Sequence, residues 1–249
     1  TRTLHALNAK IEVATSPVFQ ADAMLRAFEK KIRPDLDAVI CTHVSNVFGF
    51  VLPIDGIAAL CQRNHIPLII DASQSAGILP LSVRKLGAAF VAMPGHKGLY
   101  GPQGTGILLC NHAVTPLLEG GTGSESIRQE MPEFLPDRLE AGTANVPGIS
   151  GLLAGLQFVQ QKGERIAKHE RALILQAAYG LQKFSNIEEY TGKEHQVGVL
   201  SFTVDGKDAT EVADMLAEKG VAVRGGLHCA PLAHETVGTL PDGTVRLSV

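Results

Sequence analysis

A chain of 249 residues, 45% hydrophobic and 19% charged, is long enough to bury one large core or two smaller ones. A net charge of −3 without any long basic run excludes the clustered Lys and Arg that a phosphate backbone requires, so no nucleic acid partner is expected. No apolar stretch reaches the length of a membrane span, the opening residues lack a charged-then-apolar leader pattern, and the four cysteines stand singly, so a reducing, cytoplasmic setting with no membrane, zinc or disulfide framework is expected.

In chain order, residues 10–15 read as a short strand, and 20–31 place Met24, Leu25 and Phe28 at helical spacing. Residues 37–42 (DAVICT) are a continuous apolar run, as in a sheet covered on both faces. A helix follows over 53–64, with Pro53 near its first turn and Ile54, Ile57, Leu60 and Cys61 along one face. A strand ending at Asp71 comes next, then a turn through 77–80, a connection containing Val83 and Leu86, and an apolar run over 88–93. This alternation predicts an α/β fold with a mostly parallel, doubly wound sheet.

Residues 101–106 read as a turn feeding an antiparallel strand at 107–110. The polar stretch 119–145, rich in Gly, Ser and Glu, is a long loop of the functional or mobile kind. A helical pattern runs over 147–181, followed by short strands at 198–204, 221–223 and the chain end, with a helix at 210–219 between them. The expected division is a large domain at 1–150 and, at 151–249, a linking helix with a small α+β domain. The chain has no initiator Met and stops inside a strand pattern, so truncation at both ends is expected.

The chemistry centres on Pro94-Gly95-His96-Lys97-Gly98-Leu99-Tyr100-Gly101, which sets one lysine in a glycine-flanked turn just past a strand. Asp71 closes the strand before it. Open α/β sheets bind ligands at the carboxyl ends of their strands. An acid and a lysine placed there are what pyridoxal 5'-phosphate (PLP) chemistry needs: the amine forms a Schiff base and the carboxylate keeps the pyridine nitrogen protonated. On the residues alone, a surface lysine and a capping aspartate are equally simple readings. Gln74, three residues beyond Asp71, can reach the same ligand as an amide donor.

Cys41, Cys61 and Cys110 lie inside apolar patterns and read as core. Cys229 instead follows His228 in a glycine-rich turn with Arg224 nearby, neighbours that favour a thiolate. The glycines at 101–106 fit no nucleotide fingerprint and read as a turn. His65, His169 and His195 have no metal-like spacing and read as surface, and His234 receives no role.

The segments Asp71-Ala72-Ser73-Gln74 and 95–104 (GHKGLYGPQG) resemble the fold-type I PLP enzymes of aminotransferase class V, and within that class the cysteine desulfurase and selenocysteine lyase family. Segments 43–49 (HVSNVFG), 140–145 (EAGTAN) and 224–230 (RGGLHCA) resemble three further family segments, so the likeness runs through nearly the whole chain. The resemblance implies a PLP-dependent transferase-like fold and a set of roles. Lys97 would carry the cofactor and move protons at the substrate Cα. Asp71 would pair with the pyridinium nitrogen, Gln74 with the ring oxygen, and His96 with the phosphate or Schiff-base region. Asn46 would lie near the ring oxygen and the substrate carboxylate, and Arg246 would clamp that carboxylate through two bonds. Thr143 would reach the cofactor phosphate of the other subunit across a homodimer. Cys229 would take sulfur from L-cysteine as a persulfide, releasing alanine and passing the sulfur to an acceptor protein.

The same likeness leaves selenocysteine lyase, another class V aminotransferase or β-lyase, and a catalytically incompetent fragment as alternatives. Pro94 departs from the family pattern, in which many relatives carry a phosphate-bonding Ser or Thr there, because proline offers neither hydroxyl nor N–H. The family's upstream phosphate-binding loop and cofactor-stacking ring also find no match in the opening residues, and the end of the small domain is expected to be missing just after Arg246.

Overall fold

The structure, a computed structural model, describes residues 8–192 and 194–249. Helix α1 (Ala21–Glu29) precedes a four-stranded sheet whose spatial order follows the sequence: β1 (Val39–Thr42), β2 (Leu68–Asp71), β3 (Phe90–Pro94) and β4 (Gly106–Cys110). The first three strands are parallel and β4 runs antiparallel to β3, so the expected mixed, mostly parallel α/β sheet is present. Helix α2 (Ile54–Arg63) lays Ile54, Ile57, Ala58, Leu60 and Cys61 inward, where Ile57 and Cys61 join Val39, Cys41, Leu68 and Ile70 of the strands in one core. The DAVICT run is apolar on both faces but covered on one, since Ile40 stays 55% exposed. Helix α3 (Val83–Leu86) is a single turn, started by Ser82 accepting from Lys85 N at 3.2 Å and stopped by Gly87 in the left-handed conformation.

Residues 111–145 are irregular apart from one 3-10 turn, Asp137–Leu139. Helix α4 (Val146–Leu181) then runs for 36 residues, passing through the expected boundary at 150/151. Asn145 starts it by accepting from Gly148 N at 3.1 Å, with Pro147 in the first turn. Its buried stripe is made of small residues, Gly148, Gly155 and Gly163, with Leu152. A Cβ on Gly163 would lie 2.9 Å from the Gly77 carbonyl oxygen, and one on Gly155 would run into the Leu99 carbonyl. The helix therefore lies directly on the turns that follow β2 and β3.

The second sheet is antiparallel, ordered β5 (Ile187–Tyr190), β6 (Val199–Val204) and β7 (Val245–Ser248). Helix α5 (Ala209–Glu218) starts at Asp208, whose carboxylate accepts from Thr210 N and Glu211 N at 2.7 and 3.1 Å. Helix α6 (Pro231–Val237) follows the Cys229 turn. Among the described residues no helix is long and apolar enough to cross a membrane.

Two local expectations are corrected, and two elements were not expected. Residues 10–15 form no strand: Val13 is 43% exposed, and no strand among the described residues pairs with the segment. Among the described residues, 221–223 are likewise outside any ladder, and a bridge between Arg224 and Arg246 ties the end of that stretch to β7. Strand β5 was hidden by its central glutamates, which lie on opposite faces of an edge strand, Glu188 exposed and Glu189 half-buried. Helix α6 has seven residues, too few for periodicity to reveal.

One close approach sets the geometry of the site. Gly77 has φ +83°, and a Cβ there would run into the Gly98 carbonyl, so the turns after β2 and β3 meet only through glycine. Gly77→Ala is expected to lower unfolding stability by about 2–4 kcal/mol in urea titrations, combining left-handed strain with the clash. Gly123→Ala, at a position with open space around it, is the control and should change stability by no more than about 0.5 kcal/mol.

Candidate active site

Asp71 is the last residue of β2 and stands opposite Ala92 of β3. Its carboxylate accepts from Ser73 N at 2.9 Å, and Ala72 N donates to Ala92 O at 2.9 Å. The chain therefore turns tightly at the strand end, with Gln74 half-buried in that turn. Beyond β3 the chain makes an equally tight turn. Gly95 N donates to Thr105 O, and Gly101 N to Gly95 O, both at 2.8 Å, while Tyr100 N donates to Lys97 O at 2.9 Å. A Cβ on Gly95 would collide with the Thr105 hydroxyl, so glycine is required there. The result is a closed loop that presents His96 and Lys97 to solvent while Gly95 and Leu99 are buried beneath. Pro94 is held in β3, paired with Gly106.

The strand end of β1 adds a third part. His43 N donates to Asp71 O at 2.9 Å, so only Val44 and Ser45 separate the Asp71 strand end from Asn46. Ser45 shapes this loop, its hydroxyl accepting from Val47 N at 3.3 Å and Phe48 N at 3.2 Å. Asn46 Nδ2 donates to the carbonyl of His228 at 2.7 Å, and Asn46 O accepts from Arg246 Nη1 at 3.0 Å. These two bonds join residues 182 and 200 positions apart. They bring the Cys229 turn and Arg246 to the edge that carries Asp71 and Lys97.

Arg246 is half-buried, and its Nε is buried without a hydrogen-bond partner among the described residues. Burial lowers the guanidinium below its ordinary value, Arg224 beside it lowers it further, and the Cys229 sulfur opposes both. A desolvated cation with an unused donor is suited to receive an anion. Main-chain bonds pair Arg224 and Arg246, at 3.1 Å from Arg224 N and 2.7 Å from Arg246 N.

Cys229 is exposed, whereas Cys41 and Cys61 are buried and Cys110 is half-buried. Burial pushes the Cys41 thiol up to about 12 and Cys61 to about 11, which keeps both protonated and matches their reading as core. His228 and Cys229 both have positive φ, +51° and +60°. His228 is buried, and its ring Nε2 donates to Thr244 O at 3.0 Å. Burial is the main cause of a His228 pKa pushed down to about 4, with Arg246, His234 and Arg224 adding to it and the Thr244 bond opposing.

Asn46, the 228 carbonyl and Arg246 are thus bonded together next to the strand end that carries Asp71, and His96 and Lys97 lie on the turn after the neighbouring strand. Thr143 is not bonded to any of them: it is exposed in the loop leading into α4. In the sequence His228 figures only as a neighbour that favours a thiolate and His234 only as a residue able to shape the loop, whereas in the structure both rings are buried and bonded to Thr244 and Thr239. The available signal was the His-Cys pair between two glycines and a proline (GGLHCAP). Two cavities, of about 690 and 590 Å³, lie elsewhere, one between the 77–80 turn, α4 and residues 195–198, the other between α3, β4 and residues 135–140.

A family model described as aminotransferase class-V matches residues 3–249. The chain is 35% identical over 232 residues to a probable cysteine desulfurase of Mycolicibacterium paratuberculosis, covering 90% of this chain and 33% of that protein. It is 36% identical over 225 residues to a probable cysteine desulfurase of Methanothermobacter thermautotrophicus, covering 85% of this chain and 55% of that protein. The apo structure of a cysteine desulfurase from Thermococcus onnurineus NA1 matches with a TM-score of 0.86 at 30% identity, over 100% of this chain and 63% of that one. The cysteine desulfurase CsdA (S-sulfonic acid) from Escherichia coli matches with a TM-score of 0.85 at 26% identity, over 99% of this chain and 62% of that one. The chain therefore spans between 33% and 55% of the length of these two curated relatives. With the match running from residue 3 to residue 249, the chain belongs to the aminotransferase class-V family.

Proposed function

We propose that this chain is the lysine- and nucleophile-bearing part of a PLP-dependent cysteine desulfurase-like enzyme, which takes sulfur from L-cysteine to give alanine and a persulfide on Cys229. The observation that carries this reading is the convergence of an acid and a lysine at adjacent parallel strand ends with an exposed cysteine and a half-buried arginine. The names of the relatives support it.

The donor set fits a pyridoxal group: a carboxylate, a primary amine and an amide at the strand ends, with a buried, unpartnered guanidinium Nε nearby. When bound, PLP supplies an electron sink for charge that develops on the substrate carbon. Lys97 Nζ would hold the group and move the proton at Cα, Asp71 would keep the ring nitrogen charged, and Gln74 would donate to the ring oxygen. His96 would approach the phosphate or the Schiff-base region, and Thr143 would serve the site of a second subunit in a homodimer. Arg246 gives one donor to Asn46 O and has others left for the substrate α-carboxylate, beside Asn46 itself. The Cys229 thiolate attacks the substrate sulfur. The new S–S bond forms as the carbon–sulfur bond breaks, and the carbon takes a proton, so L-cysteine plus a thiol becomes alanine plus a persulfide. An acceptor protein then removes the terminal sulfur. The division at 150/151 and a reducing cytoplasmic setting belong to the same reading.

The test is incubation of the purified, PLP-supplemented protein with L-cysteine. Alanine and sulfide should appear in equal amounts with a thiol reductant present, and alanine should stop near one per site without it. A cofactor-loaded protein that makes no alanine overturns the proposal, and alanine from selenocysteine alone moves it to selenocysteine lyase.

A further inference from the structure

We propose that His228 is the positioning residue of the Cys229 thiol: its buried imidazole, bonded to the Thr244 carbonyl, locks residues 228 and 229 in the conformation that presents sulfur at the protein surface. This rests on the reading of Cys229 as the sulfur-accepting nucleophile.

Two successive non-glycine residues with positive φ are costly, and such a pair persists only where its surroundings over-determine it. Here the surroundings act almost entirely through residue 228. Its carbonyl accepts from Asn46 Nδ2 at 2.7 Å, on the loop after β1. Its ring Nε2 reaches Thr244 O at 3.0 Å, on the segment entering β7. A carbonyl only accepts, so Nε2 carries the proton and the ring is a fixed donor. Burial favours the neutral ring, so this arrangement holds through the neutral range. The remainder of the turn is closed around that ring. Gly226 and Thr244 exchange main-chain bonds at 3.1 and 3.2 Å, Ala230 N donates to Leu227 O at 2.9 Å, and Gly243 sits where a Cβ would strike Gly226. The His234 ring, fully buried, lies 5.8 Å from the His228 ring and is itself tied to the Thr239 hydroxyl at 2.8 Å.

Side chains of consecutive residues cannot both point inward in such a turn. His228 is 3% exposed while Cys229 is exposed, so burial of the imidazole is what turns the thiol out. Because the 228 carbonyl and ring engage different elements, the sulfur is placed relative to Asn46 and Arg246 together. Misplacing a reacting atom by an ångström can cost about 100-fold in rate without affecting how the substrate is held.

The experiment measures first-turnover alanine formation by the PLP-loaded protein without reductant, over a range of L-cysteine concentrations. His228→Ala is expected to keep the cofactor absorption band and half-saturation within about threefold, while the saturating first-turnover rate falls by about 100-fold. His228→Gln restores a donor near the Nε2 position and is expected to recover to within about fivefold of wild type. His228→Asn tolerates positive φ but is too short to reach Thr244, and should remain slow. Amide hydrogen exchange, read without any turnover, should speed up at Gly226 and Ala230 in His228→Ala and less in His228→Gln. The proposal is overturned if His228→Ala runs at the wild-type rate, if its defect lies in half-saturation alone, or if His228→Asn equals His228→Gln. The last comparison holds even if the alanine variant does not fold. Cys229→Ala in the same assay separates the two ideas: alanine at the wild-type rate there removes the underlying reading, whereas its loss alongside an unaffected His228→Ala removes only this inference.

Discussion

Lys97→Ala is expected to abolish the PLP-dependent visible band that borohydride fixes, and to reduce alanine formation from L-cysteine by at least about 10³-fold. The argument begins with place. The turn after β3 is closed by main-chain bonds from Gly95, Tyr100 and Gly101, so the Lys97 side chain stands on a rigid loop. The strand beside it ends in Asp71, the acid that a ring nitrogen needs. Surface lysines also react with an aldehyde, so loss of label at one position must be compared with others. Lys85 and Lys168 are suitable controls because their amines pair with Asp55 and Glu164 at 3.0 and 2.7 Å. Their alanine variants should keep the fixed band and the rate. Peptide mapping after reduction should place the label on Lys97. A Lys97→Ala protein that retains stoichiometric fixed label would remove this lysine from the proposed chemistry and leave the acid at Asp71 without its partner.

What was legible in the sequence follows from how local each feature is. Strands β1 to β3 were readable because a strand in a parallel sheet carries a continuous apolar run, and Val39 to Thr42 and Leu68 to Asp71 have it. Helix α4 was readable because 36 residues give periodicity time to accumulate. Residues 10–15 alternate like a strand, yet alternation is only half of the requirement, and no edge among the described residues takes up their backbone groups. Strand β5 shows the reverse case, where a ladder with β6 imposes strand geometry on two glutamates. The site divides in the same way. Asp71, Gln74, His96 and Lys97 sit on two turns within one stretch of chain, and their residue types announce the chemistry. The bonds from Asn46 to the 228 carbonyl and from Arg246 to Asn46 cross 182 and 200 residues, and no local pattern encodes them. The family likeness supplied Asn46, Cys229 and Arg246 as separate expectations. It did not supply the burial of the His228 imidazole on Thr244, because a histidine beside a cysteine gives no sign of which of the two faces inward.

Cys229→Ala is expected to lower alanine formation by at least about 10³-fold while leaving the cofactor band and the stability of the protein unchanged, because the replaced side chain is exposed. Selectivity among the four cysteines makes the effect assignable. Burial raises Cys41 to about 12 and Cys61 to about 11, so near pH 8 both remain thiols and are shielded as well. Cys110 is half-buried and also raised by burial. An alkylating reagent at pH 8 should therefore modify Cys229 first, and alanine formation should fall in step with that single modification. Raising the pH toward 11 should bring Cys61 into range before Cys41, since the group with the smaller upward shift ionises first, provided the fold persists. Arg246 supplies the complementary readout. It lies close enough to the Cys229 sulfur for the two to attract, and it is half-buried with a donor left over. Arg246→Lys keeps the charge and loses the planar fork, so half-saturation for L-cysteine should rise more than the maximal rate falls. A Cys229→Ala protein that still releases alanine at the wild-type rate would show that the sulfur leaves by another route, and the lysine, the acid and the arginine would then belong to a different reaction on the same scaffold.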